Sequence, residues 1–229
     1  MSLYAIGDLH LSFSTEKPMD VFGGKWDNYV EKLVEGFSIL NNEDLCVICG
    51  DVSWSMNLEE ALEDFNFIDS LPGRKIILKG NHDYWWNTVT KIYNFFRDNG
   101  ISTIDILHNN CWFYGDTAIC GTRGWFFEEN MQDPHDRKIL NRELIRLEAS
   151  LKAAGDRAKR CFFHYPPRYR DYVCHEIIDL MKQYDVKSCH FGHIHGPGHH
   201  FAVEGIIEGI EYSLVSADYI DFKPVKVIE

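Results

Sequence analysis

The sequence predicts an α/β fold. Two observations predict it: short runs rich in branched aliphatic side chains recur along the chain, each closed by a glycine or polar turn, and between them lie stretches with apolar residues at helical spacing. A third points to function. Asp, Asn and His gather where the short runs stop, and the carboxyl ends of strands in an open α/β sheet are where ligands sit. At 229 residues, 45% of them apolar, the chain is long enough to bury one core and short for two, so 1–229 reads as a single domain.

In order, Leu3-Tyr4-Ala5-Ile6 is a first strand closed by Gly7, delivering Asp8 and His10 into the loop beyond. Two apart in extended backbone, these side chains point the same way and can reach one ion. Residues 11–25 carry Pro18, Gly23 and Gly24 and read as a loop; Trp26 to Leu40 has helical spacing. Leu45 to Cys49 is a buried strand ended by Gly50-Asp51, and Leu58 to Leu71 a helix stopped by Pro72-Gly73. The run from Arg74 to Lys79 is a strand that ends in Gly80-Asn81-His82-Asp83. An amide, an imidazole and a carboxylate thus emerge together.

Trp85 to Phe96 reads as a helix, and Ile104 to Gly121 as short strands with turns at Asn109-Asn110 and Gly115-Asp116. Residues 122–135, with Arg123, Trp125, Phe126 and Phe127, are too apolar for a solvated linker and are expected to fold over something. Asp136 to Ala154 is the clearest helix, with Leu140, Leu144, Leu147 and Leu151 on one stripe and Gly155 as its stop. Arg160 to Phe163 then runs into His164-Tyr165-Pro166-Pro167, where the prolines stiffen the backbone after His164. A helix is expected from Asp171 to Tyr184, and a strand from Val186 to Phe191 reaching Gly192-His193-Ile194-His195-Gly196. The tail from Phe201 to Ile228 suggests antiparallel strands.

A formal net charge of -12 with no Lys/Arg block argues against a surface that neutralises nucleic-acid phosphates, and favours a small ligand over long nucleic acid as partner. Seven scattered cysteines and no signal-peptide pattern point to a reducing cytoplasm, and no apolar run is long enough to span a bilayer. Cys46 and Cys49 read as core packing.

The strand-end residues are Asp8, His10, Asp51, Asn81, His82, His164, His193 and His195. Carboxylate oxygen and imidazole nitrogen without thiolate suit divalent Mn, Fe or Zn rather than a closed structural zinc. Two aspartates, an amide and five histidines exceed what one ion holds and suit two ions sharing a carboxylate.

In this set the sequence resembles the calcineurin-like metallophosphoesterase superfamily, whose signature stands here as Asp8-Leu9-His10, Gly50-Asp51, Gly80-Asn81-His82-Asp83, His164 and Gly192-His193-Ile194-His195. The resemblance implies two mixed β-sheets packed as a sandwich and flanked by helices, a four-layer fold. It implies one metal on Asp8, His10 and His195, a second on Asn81, His164 and His193, Asp51 as their bridge, and His82 on the substrate. One departure matters. Where many members carry an aspartate that orients the catalytic histidine this chain has Trp54, which leaves Asp83 as the nearest candidate partner of His82.

The activity so implied is metal-dependent hydrolysis of phosphomonoesters or phosphodiesters by hydroxide held between the ions, with His82 as general acid. A scaffold that keeps the fold and binds a protein partner is the alternative, and the complete ligand set weighs against it. Arg123 either forks onto a phosphate oxygen or forms an ordinary salt bridge. Tyr84, Trp85, Trp86, Trp125 and Tyr165 form an aromatic wall for a base or sugar, or pack in the core. His108, His135, His175, His190, His199 and His200 read as surface residues or as supports behind the ligands.

Overall fold

The computed structural model describes residues 2–17, 19–125 and 134–228. The first half carries β1 (Leu3–Ile6), α1 (Tyr29–Phe37), β2 (Leu45–Ile48), α2 (Leu62–Ser70), β3 (Arg74–Ile77), α3 (Val89–Asp98) and β4 (Ile104–Ile106). The second carries β5 (Trp112–Tyr114), β6 (Thr117–Thr122), α4 (Pro134–Ala153), β7 (Ala158–Phe163), β8 (Arg168–Tyr169), β9 (Tyr172–Val173), α5 (His175–Gln183), β10 (Val186–Phe191), β11 (Gly205–Ile207), β12 (Ile210–Leu214) and β13 (Val225–Ile228). Two large sheets result, in the orders β13-β1-β2-β3-β4 and β11-β12-β10-β7-β6-β5. Both are mixed: the inner strands pair in parallel, while β13, β11 and β5 pair antiparallel with their neighbours.

Side-chain alternation explains the layers. Along β1 and β2, Leu3, Ala5, Leu45 and Val47 face the second sheet and meet Ile119, Phe162 and Val215 in a shared core. The intervening Tyr4, Ile6, Cys46 and Ile48 face outward and pack against Leu33 and Phe37 of α1, Phe65 and Ile68 of α2, and Ile92 and Phe96 of α3. On the second sheet Cys120, Cys161 and Phe163 turn outward to Leu140, Leu147 and Leu151 of α4 and Ile177 and Met181 of α5. The product is helices, sheet, sheet, helices. Among the described residues no helix is long and apolar enough to cross a membrane, and all seven cysteines are free.

Several expected boundaries move. The helix expected from Trp26 starts at Tyr29, because Asn28 adopts a left-handed conformation (φ 53°) after a short 3-10 turn. The one expected from Trp85 starts at Val89, where the Thr88 side chain caps it, since Trp85 is held by its indole N–H on Asp83. Residues 58–61 form a preliminary turn before α2, in which Asn57 and Glu60 bond each other reciprocally. The helix expected from Asp171 is a β8–β9 hairpin up to Val173 and a helix only from His175. The tail is not simply antiparallel either: β12 joins β10 in parallel and β13 crosses to the first sheet. Phe126 and Phe127 lie outside the described residues.

The two sheets are joined at one seam. Gly7 donates to the Val215 carbonyl at 2.7 Å and accepts from Ala217 at 2.9 Å, so the ends of β1 and β12 run together. That seam brings the strand ends of one sheet beside those of the other.

Candidate metal centre

Each predicted ligand sits just past a strand end, and the turns are unusually tight. Asp8, His10, Asp51 and His193 all have positive φ (59°, 48°, 50° and 72°), a region that non-glycine residues rarely occupy outside functional turns. Glycines allow those turns to approach one another. A Cβ on Gly80 would overlap the Asp51 backbone and carboxylate, and one on Gly192 would overlap the Asp8 carboxylate.

The ligand atoms fall into two groups, Asp8 with His10 and His195, and Asp51 with His164 and His193; within each group they lie within 4.8 Å of one another. Asn81 joins the second group, its Oδ1 2.5 Å from His164 Nε2. Asp51 Oδ2 stands between the groups, 3.8 Å from His10 Nε2 and 3.5 Å from His164 Nε2. Backbone amides fix both carboxylates: His193 N donates to Asp8 at 2.9 and 3.1 Å, and His82 N donates to Asp51 Oδ1 at 2.7 Å.

The donor chemistry fits cations. His164 Nδ1 lies 3.0 Å from the Cys49 carbonyl, which can only accept, so Nδ1 carries the proton and Nε2 is bare. Burial lowers this imidazole to about 3, so it stays neutral, and its bare Nε2 meets the Asn81 oxygen, another acceptor. Two acceptors aimed at one point are what a metal ion reconciles. His193 is likewise lowered to about 3 by burial. Asp51 is pushed well above its usual range by burial first, then by the Asp83 and Asp8 charges, a repulsion that cations relieve.

Sequence reasoning missed Asp218. It follows β12, accepts from His195 Nδ1 at 2.8 Å and from Gly196 N at 3.1 Å, and lies 3.3 Å from His199 Nε2. A carboxylate behind a ligating histidine sets its tautomer and ring orientation. Burial works against a charged His195, but the Asp218 bond and the Asp8 carboxylate win and raise it to about 10. The available signal was the same one used elsewhere, an acidic residue just past an apolar strand, without the glycine that marked the others.

Asp83 is not the partner of His82. Its carboxylate is fully buried and accepts from the backbone N–H of Gly80, Asp51 and Val52 at 2.6–3.0 Å and from the Trp85 indole at 3.0 Å. It ties two ligand turns together. His82 Nδ1 instead lies 3.2 Å from the Tyr84 hydroxyl, and its ring packs on Trp54 with centroids 4.3 Å apart. Trp54 also stacks on His10 at 4.9 Å, so the residue that replaces the family's aspartate covers two site histidines.

Arg123 places a terminal guanidinium nitrogen 3.7 Å from Glu143 and lies 5.0 Å from the Trp125 ring centre. Of the expected aromatic wall, Trp85 is core, edge-on to Phe65, while Tyr165 sits 4.4 Å from the His193 ring. His190 is neither on the surface nor behind a ligand: it is buried, stacked on Phe162 and bonded to Ser188 Oγ at 2.9 Å.

Comparison with solved structures gives likenesses over nearly the whole chain at low identity. A protein of unknown function, AQ665 from Aquifex aeolicus, is 16% identical with a TM-score of 0.51, covering 98% of this chain and 95% of that one. The phosphopantetheinyl hydrolase PptH from Mycobacterium tuberculosis is 12% identical with a TM-score of 0.58 and coverages of 99% and 95%. TT1561 of Thermus thermophilus is 14% identical, at 0.55, with 84% and 81%. These likenesses carry the fold alone. No curated protein matches the sequence. The family model for calcineurin-like phosphoesterase matches residues 1–197, a span that holds every predicted ligand, and this chain belongs to that family.

Proposed function

We propose that this protein hydrolyses phosphomonoesters or phosphodiesters at two divalent ions, the first on Asp8, His10 and His195, the second on Asn81, His164 and His193, with Asp51 shared. The observation that carries the reading is the contact of two bare acceptors, His164 Nε2 and Asn81 Oδ1, at 2.5 Å beside buried carboxylates and the neutral imidazole of His193. Such ions supply Lewis acidity toward water and toward the phosphoryl oxygens. The chain's own residues do the rest. Asp51, held by His82 N, spaces the two groups; Asp218 fixes the Nε2 of His195 toward the first; the Cys49 carbonyl does the same for His164.

His82 touches the substrate and hands its proton to the leaving oxygen. Burial lowers its imidazole below the usual range, and the negative charge of a bound phosphoester works in the opposite direction, favouring the protonated form once substrate is present. His82→Ala is expected to keep both metals and to lose turnover by about 100- to 10,000-fold on esters with poor leaving groups, with little loss on nitrophenyl esters. Equal loss on both series removes the general-acid role.

The test of the reading is metal content of the purified protein together with hydrolysis of aryl phosphate and bis-aryl phosphate in Mn. A phosphopantetheinyl ester belongs in that panel because one structural neighbour bears that name, although at 12% identity the likeness speaks only for fold. No turnover with two ions bound would leave a scaffold that binds a protein partner.

A further inference from the structure

Beside the first ligand group opens a cavity of about 590 Å³. One end is the site itself, His10, His82 and His195; the walls are Met19, Phe22, Trp26 and Trp54. Trp26 is edge-on to His10 at 5.9 Å, Trp54 lies flat on it at 4.9 Å, and the Trp54 indole points its N–H at Met19 sulfur. The aromatic wall is therefore continuous with the imidazoles that hold the reacting centre. Phe22, at the cavity, is 68% exposed, a large apolar surface left in water.

Among the described residues lining this wall, Lys25 and Asp218 are already committed. Lys25 Nζ donates to the Asp218 carbonyl at 3.0 Å and to Asp221 at 3.3 Å, and both Asp218 carboxylate oxygens are taken by His195 and Gly196. A planar ring would find the Trp54 indole and the edge of the buried Trp26, while Lys17 Nζ stands 5.3 Å from the Trp54 ring centre. Burial of apolar surface is favourable, and burial of an unpaired charge is opposed.

We propose that this cavity seats the leaving group, so that the preferred substrate is a phosphoester whose alcohol bears an aromatic or comparably apolar body. The assignment rests on the hydrolase reading above.

The test uses the full chain loaded with Mn and three probes that cannot be hydrolysed, methylphosphonate, naphthylmethylphosphonate and carboxymethylphosphonate, titrated by calorimetry. The naphthyl probe is expected to bind at least about tenfold tighter than the methyl one, and tighter than the carboxylate one. Trp54→Ala is expected to erase most of that advantage and Trp54→Phe to keep most of it, with Phe22→Ala as a second variant on the opposite wall. Equal binding of the naphthyl and methyl probes overturns the assignment, as does an advantage that survives both alanine variants. Naphthyl preference without turnover of any aryl phosphate would remove the hydrolase and leave the cavity assigned; turnover without naphthyl preference would do the reverse.

Discussion

In the first ligand group, Asp8, His10 and His195, the decisive histidine is held by a carboxylate; in the second, Asp51, Asn81, His164 and His193, it is held by a backbone carbonyl. His195 bonds Asp218 and is about one-third exposed at the cavity; His164 bonds the Cys49 carbonyl and is fully buried. The consequence is electrostatic. His195 is raised to about 10 and presents a proton toward His10 Nε2 at 3.3 Å, while His164 is lowered to about 3 and presents a bare nitrogen to Asn81. The same ligand chemistry thus meets a cation in two ways. In the first group the proton on His195 competes with the ion, whereas the imidazoles of the second, His164 and His193, carry none.

The comparison breaks most visibly at Asp51, whose Oδ2 faces both groups. Asp51→Asn is expected to lower turnover by about 1,000-fold or more and to reduce bound metal from two ions toward one or none. Metal analysis and aryl phosphate hydrolysis read this together. Loss of the second ion alone, with the first intact, would place Asp51 in one group only.

Asp83 supports the second group through backbone alone, since its oxygens collect the N–H groups of Gly80, Asp51 and Val52. Asp83→Asn turns one accepting oxygen into a donor facing a donor, and is expected to cost about 2–3 kcal/mol of folding stability, read by thermal or urea denaturation. Asp218→Asn is the contrasting change. It keeps the fold but weakens the orientation of His195, so the first ion should loosen by about 10- to 100-fold in chelator competition while the second is unmoved. An equal loss at both groups would make Asp218 a support for the whole centre.

The difference between the two groups also decides what could be read from sequence. The ligands themselves were legible because each is a polar residue after an apolar run punctuated by glycine or proline, and the alternation of strands and helices implied the outward layers. The supports were not. Cys49 acts through its carbonyl, which leaves no trace in residue identity. Asp218 follows β12 without a glycine, and the pairing of β12 with β10 depends on a crossover that local patterning does not encode. Asp83 was visible but its partners were not: adjacency to His82 suggested one role, while contact with the Asp51 turn, 32 residues away in sequence, assigned another. Helix starts shifted for a related reason, since Asn28 and Thr88 set them by backbone conformation and capping rather than by apolar period.

A pH titration tests the comparison most sharply, because it separates the groups without mutation. His195 keeps its extra proton up to about 10, so an ion entering the first group displaces it; His164 and His193, near 3, have none to lose. Asp51 faces both groups, and any proton on it leaves with whichever ion enters first. The sign follows: raising pH removes the His195 proton as a competitor at the first group, and the imidazoles of the second have no such proton to lose. From roughly pH 6 to 9 the first ion should tighten about tenfold per unit relative to the second, which is about 1.4 kcal/mol per unit. Mn binding in weakly buffered solution should release one proton more at the first group than at the second, and Asp218→Asn should abolish that excess. Equal proton release at the two groups would mean that Asp218 does not distinguish them, and the contrast drawn from their anchoring would not survive.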